Sequence, residues 1–153
     1  MNFEELYQDL ILDHSKRPRN FGPLPDPTAT ARGDNPSCGD EIDLAVKLSP
    51  AHVEDIKFTG QGCAICMASA SLMTIKVKGK PREEAAAMAD AFRQMLTSRE
   101  EIDPPDTFGD LVVFGAVRRF PQRVKCATLA WRALEQVLSS STPEAHVTTE
   151  EGQ

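Results

Sequence analysis

The hydrophobic period switches from strand to helix after the central hairpin, and that change restricts the fold more than any single residue does. Ile42, Leu44, Val46 and Leu48 alternate with Glu41, Asp43 and Lys47, the period of two expected of a half-buried strand. Ser49-Pro50-Ala51-His52 reads as a turn, and Val53 to Thr59 as the return strand with Ile56 and Phe58 inward. From Ala64 onward the pattern is helical. Ala64 to Val77 reads as a helix stopped near Gly79, and Pro81 suits the first position of the next, with Glu83 and Glu84 in its first turn. Its buried stripe is Ala85, Met88, Ala89, Phe92 and Leu96. Leu111 to Val117 is ambiguous between strand and helix. Pro121 opens a last helix with the stripe Val124, Ala127, Thr128, Trp131, Leu134 and Leu138.

Ahead of the hairpin, Phe3, Leu6, Tyr7, Leu10 and Ile11 lie on one helical face, with Asn2 as cap, Glu5 as its capping-box partner and Pro18 as the stop. Thr28 to Arg32 could form a short edge strand. Strands first and helices after predict an α+β fold, a small antiparallel sheet of about three strands packed against several helices. The 153 residues suit one domain, expected over 1–138. The Ser-, Thr-, Glu- and Gly-containing stretch 139–153 is expected as a flexible tail.

Charge narrows the partners. The net charge is −6, a poor basis for binding nucleic acid or a membrane surface. Glu100, Glu101, Asp103, Asp106 and Asp110 crowd the connection at 97–110, and Glu144, Glu150 and Glu151 the tail. Outside those stretches the chain is slightly positive. The longest uncharged run, Phe58 to Ile75, is too short and too polar to span a bilayer. An acidic start, Met1-Asn2-Phe3-Glu4-Glu5, is not an export signal, so a cytoplasmic, reducing location is expected. There, grouped cysteines mean metal or catalysis more often than disulfides. His14 continues the apolar face of the first helix and reads as a partly buried structural histidine. His52 reads as a solvated turn residue. Lys16-Arg17-Pro18-Arg19 and Arg118-Arg119 are candidate docking charges that read first as solvated surface.

The four cysteines stand at 38, 63, 66 and 126. Cys38 lies in the turn that feeds the first long strand, Cys63 opens a helix after Gly60-Gln61-Gly62, and Cys126 lies in the first turns of the last helix. A thiol at a helix N-terminus feels unpaired N–H groups that favour thiolate, the form that binds metal or attacks sulfur. Cys63-Ala64-Ile65-Cys66 is a CxxC, which by spacing is either a redox pair or half of a zinc site. No second CxxC or HxxxH completes a zinc finger, and the βαβ setting of a thioredoxin is absent. Spacing alone suggests two or three metal-binding cysteines. The competing reading makes Cys66 and one other small buried hydrophobes.

Longer motifs go further. The chain resembles the SufU-type branch of the iron–sulfur cluster scaffold family related to IscU. The matching stretches are Asn35-Pro36-Ser37-Cys38-Gly39-Asp40, Gly60-Gln61-Gly62-Cys63-Ala64-Ile65, Met67-Ala68-Ser69-Ala70-Ser71-Leu72-Met73 and Arg123-Val124-Lys125-Cys126-Ala127-Thr128-Leu129-Ala130-Trp131. Leu6-Tyr7, Asp13-His14 and Pro18-Arg19-Asn20 also fit. The resemblance covers about residues 3–138. IscU-type scaffolds carry a His directly before the last Cys, where this chain has Lys125, and a shorter stretch between the second and third motifs. Both departures favour the SufU branch.

The resemblance implies a metal site of Cys38, Asp40, Cys63 and Cys126, with Cys66 a bystander where related sequences commonly carry Ser. Three thiolates and a carboxylate can close a tetrahedral Zn²⁺ site, and Gly39 lets Cys38 and Asp40 serve it from one turn. The site would be net anionic. Arg123 and Lys125 flank Cys126 and would either offset that charge or be ordinary surface. The implied activity is a zinc-dependent sulfurtransferase in iron–sulfur cluster biogenesis. Cys38 would accept a persulfide sulfur from a pyridoxal-phosphate (PLP) dependent, SufS-like cysteine desulfurase and pass it to downstream Fe–S assembly machinery. The alternative is an IscU-like scaffold that builds an Fe–S cluster on the same ligands. A plain structural zinc domain is a third reading.

Overall fold

A computed structural model describes residues 3–139 and 144–148, without the side chain of Phe3. The expected cap Asn2 therefore lies outside the described residues, as does the expected inward position of the Phe3 side chain. Helix α1 (Phe3–Lys16) is followed by strands β1 (Ala29–Asn35), β2 (Asp40–Leu48) and β3 (Val53–Gln61). Helices α2 (Ala64–Val77) and α3 (Arg82–Thr97), a 3-10 segment (Asp106–Val117), helix α4 (Pro121–Ser139) and strand β4 (Glu144–Thr148) complete the order. The expected α+β class holds. Among the described residues no helix is long and apolar enough to cross a membrane.

The sheet order is β3-β2-β1-β4. The β2–β3 hairpin is antiparallel, pairing Leu44 with Phe58 and Val46 with Ile56, which puts the alternating apolar set on one buried face. β1 pairs antiparallel with β2, and Asn35 stands directly across from Asp40. Three expectations change here, the first being that the sheet is mixed rather than wholly antiparallel. The sheet has four strands rather than about three, because residues 144–148 of the expected tail form β4, parallel to β1. β1 is consequently interior rather than an edge. The physical reason is a short alternation hidden in polar composition: Ala145 and Val147 point inward onto α4 and the core, and His146 pairs outward with Asp34. Residues 140–143 and 149–153 lie outside the described residues.

α2 is apolar on nearly every side, and it is buried accordingly, from Cys66 through Thr74 and again at Val77. α3 instead buries one stripe, whereas α4 is buried all round from Cys126 to Trp131 and then along Ala133, Leu134 and Val137. Their contact centres on Phe92 stacked against Trp131, with ring centroids 4.7 Å apart. Burying apolar side chains of this size stabilises by roughly 1.5–3 kcal/mol each. The ambiguous stretch Leu111–Val117 is 3-10 helix, entered through a kink at Gly109, where φ is +51°. The wedge it forms buries Phe108, Leu111 and Phe114, and a short apolar run carries no period that distinguishes helix from strand.

Candidate metal centre

Three chain reversals bring the candidate ligands together. β1 ends at Asn35, and a tight turn reaches Asp40 with Cys38 N–H donating to the Asn35 carbonyl (3.2 Å) and Gly39 N–H to the Pro36 carbonyl (3.3 Å). Gly39 has φ +71°, a left-handed conformation that a side chain would strain. Cys38 is thereby left exposed at the tip, while Asp40 begins β2 and is 1% exposed. The second reversal joins β3 to α2. Cys63 is the N-cap of α2, and its sulfur accepts from the Cys66 N–H at 3.4 Å. Gly62 before it is required by space, since a Cβ there would come within 2.5 Å of Asp40 Oδ1. The third is the start of α4 after Phe120, which carries Cys126 into the interior at 3% exposure.

The Cys38 Sγ, an Asp40 carboxylate oxygen and the Cys126 Sγ lie within 4.8 Å of one another, close enough to share one metal ion. Cys63 falls outside that group of three and connects to it through a hydrogen bond with Cys126. Both oxygens of Asp40 are held. Oδ1 accepts from the Cys63 N–H at 2.8 Å and Oδ2 from Asn35 Nδ2 at 3.0 Å. The Cys126 thiol donates to Cys63 and, with the Cys66 N–H, brings the Cys63 thiol down to about 7 against the opposing effect of burial. Cys126 is correspondingly pushed up, by its bond to Cys63 and by burial. The two opposite shifts make Cys63, at the helix start, the more acidic thiol of the pair, where unpaired N–H groups favour thiolate. Three sulfurs and one carboxylate, two of the four side chains buried, fit Zn²⁺ and fit the iron of a cluster equally.

Cys66 is apart from this group. It is fully buried, and burial together with the nearby Asp40 charge pushes its thiol pKa up. The CxxC spacing therefore joins a half-buried thiol to a fully buried one. His14 also lies elsewhere, with Nδ1 2.8 Å from Ser71 Oγ inside the α1–α2 contact, and His52 is exposed in its turn. Arg123 lines the cleft beside the cysteines, where it lies over the Phe120 ring and bonds to Tyr7. Arg17 and Arg19 pair with Asp13, and Arg118 donates to the Ser98 carbonyl at 2.6 Å. Each of these three arginines thus has a local partner.

Asn35 is the site residue that sequence reasoning left without a role. It is fully buried, and Nδ2 approaches the Cys126 sulfur (3.5 Å) as well as Asp40. The available signal was a polar residue ending a strand directly before the Cys38 turn. Around the thiols, Tyr7, Ile11 and Leu12 of α1 and Ile65 of α2 help wall an open, mainly apolar cleft of about 650 Å³.

Comparison with known proteins agrees with this geometry. Residues 6–127 match the NifU-like N-terminal domain. The chain is 47% identical over 135 residues to the zinc-dependent sulfurtransferase SufU of Bacillus subtilis, covering 88% of this chain and 90% of that one. It is 43% identical to the iron–sulfur cluster assembly scaffold protein IscU of Streptococcus pyogenes, covering 94% and 89%. A crystal structure of a putative iron–sulfur cluster assembly scaffold protein for the SUF system, from Fervidobacterium islandicum, superposes with a TM-score of 0.80 at 33% identity, covering 89% and 98%. A shared fold, the matched length and these identities place the chain in the NifU-like N-terminal domain family.

Proposed function

We propose that this chain works in iron–sulfur cluster assembly as a zinc-dependent sulfurtransferase, with Cys38 as the sulfur acceptor. The observation that carries the reading is the contrast within one cluster: Cys38 is exposed on a turn, whereas Asp40 and Cys126 are buried on regular elements. Such a site can present one thiol to a partner while the others stay in place. The relatives named SufU and IscU support the assembly role, and the name of the former supports zinc and sulfur transfer. Lys125 before Cys126, and the long stretch between Cys63 and Cys126, support the SufU branch over a scaffold.

Cys38, Asp40, Cys63 and Cys126 would hold the metal. Bound Zn²⁺ would keep its thiol ligands deprotonated at neutral pH. The open cleft admits the persulfide-bearing loop of a PLP-dependent cysteine desulfurase. The Cys38 thiolate attacks the outer sulfur of that persulfide. A new S–S bond forms on Cys38, the donor's S–S bond breaks, and the donor cysteine leaves as thiolate. One sulfur atom moves with no net oxidation. Apolar walls from Tyr7, Ile11, Leu12 and Ile65 limit water around the reacting sulfurs. The Cys38 persulfide then passes its outer sulfur to a downstream thiol by the same exchange.

The test incubates the full chain with such a desulfurase and cysteine, without added reductant, and reads persulfide by mass spectrometry alongside the metal content. Wild type should carry one extra sulfur on Cys38 and stoichiometric zinc, and Cys38→Ala should carry none. A coloured, iron-containing protein as isolated without air, or full stimulation of the desulfurase by Cys38→Ala, would overturn the reading.

A further inference from the structure

We propose that Asn35 is a positioning residue that presets the ligand geometry of the metal site before any metal enters. The proposal rests on the zinc-binding part of the function argued above and adds a residue to it. Asn35 touches three of the four candidate ligand residues at once. Its Nδ2 donates to Asp40 Oδ2 at 3.0 Å and approaches the Cys126 sulfur at 3.5 Å. Its backbone carbonyl accepts from the Cys38 N–H at 3.2 Å. It stands across from Asp40 in the β1–β2 ladder, so the contact is set by sheet register rather than by a mobile loop. β1 in turn is held on both sides, by β2 and β4.

The chemistry suits a carboxamide in this place. Its two N–H donors carry no charge, so they orient a carboxylate and a thiolate without competing with a metal for them. Each oxygen of Asp40 already has one donor, Asn35 on Oδ2 and the Cys63 N–H on Oδ1, and each keeps lone-pair capacity for a cation. The carboxylate is thus fixed in plane and position, ready rather than searching. Donors that orient metal ligands typically contribute 10–100-fold in metal affinity.

Zinc affinity of the full chain is measured by competition with a chromophoric chelator for wild type, Asn35→Ala and Asn35→Leu. The leucine variant keeps the buried volume and removes the donors. Both variants should bind zinc roughly 10–100-fold more weakly, with metal-free circular dichroism unchanged. Ser71→Ala is the control, because Ser71 is buried and hydrogen-bonded to His14 outside the site; its zinc affinity should equal wild type. Asn35 variants that bind like wild type, or lose no more than Ser71→Ala, overturn the proposal. If Asn35→Ala fails to fold, Asn35→Leu decides by the same criterion. Zinc bound normally by wild type with no persulfide on Cys38 overturns the sulfur-transfer reading and leaves the Asn35 result standing. Persulfide on Cys38 with zinc affinity unmoved by Asn35→Leu does the reverse. A wild type that binds no zinc overturns both.

Discussion

The first turn of α2 and the body of the same helix face opposite physical demands. At the start, Cys63 is half-buried, accepts from the Cys66 N–H and from the Cys126 thiol, and has its pKa held near 7. One turn further in, Cys66 is surrounded by core, and its thiol is driven away from ionisation. Beyond it, Ser69, Ser71 and Thr74 are polar and buried, yet each has a partner: Ser69 donates to the Ala127 carbonyl and accepts from Trp131, Ser71 bonds His14, and Thr74 donates to the Ser71 carbonyl. The difference teaches that the helix end, with its free N–H groups and access to water, favours the thiolate that the helix body suppresses. Polar groups in the body join α2 to its neighbours, Ser69 to α4, Ser71 to α1 and Thr74 to the loop at Asn20.

The most severe way to probe this contrast is at its reactive end. Cys63→Ala should lower zinc affinity by more than about 100-fold, beyond the range of losses from groups that merely orient ligands. Cys66→Ala should leave it unchanged and lower stability by only about 1 kcal/mol, the scale of one small buried apolar group. Chelator competition on the two variants checks this, and equal losses would erase the distinction between the two thiols. In the helix body, Ser69→Ala should reduce unfolding free energy in urea by about 1–3 kcal/mol, because the buried Trp131 N–H loses its acceptor. No loss there would mean that the polar groups of the body do not join the helices. The smallest effect concerns pH. Burial holds the His14 pKa below its ordinary 6.5, so below that pH the unfolded chain binds more protons than the folded one. Stability from this group is therefore full above about pH 6.5 and declines on acidification. Urea midpoints at about pH 7.5 and 5.5 should differ less for His14→Gln than for wild type; identical pH dependence in the two would remove His14 from the titrating groups.

Much of this was readable before any coordinates. The ends of α2 at Ala64 and Val77 coincide with the expected helix, because the period change, the glycines before Cys63 and Gly79 after Lys78 all mark boundaries. The stripes of α3 and α4 face inward as their spacing requires. β4 was hidden because only Ala145 and Val147 are apolar in it, and a strand so short is recognisable mainly by the partner it pairs with. The 3-10 segment was hidden because a buried apolar run of that length has no distinguishing period. Cys38, Asp40, Cys63 and Cys126 were named together only through motif resemblance. Their spacing alone favoured the Cys63–Cys66 pair.

The sequence by itself determined the α+β order, the helix that begins at Cys63 and the turn that Gly39 makes possible, since these are local consequences of period, capping and backbone freedom. Only the tertiary structure decided which thiols share a centre. Cys126 reaches Cys38 and Asp40 because α4 packs across the sheet, and Asn35 reaches both Asp40 and Cys126 because β1 and β2 are in one register. Burial then separated Cys66 from Cys63. Distances between residues far apart in the chain, and the solvent left around each thiol, arise from packing and have no local signature.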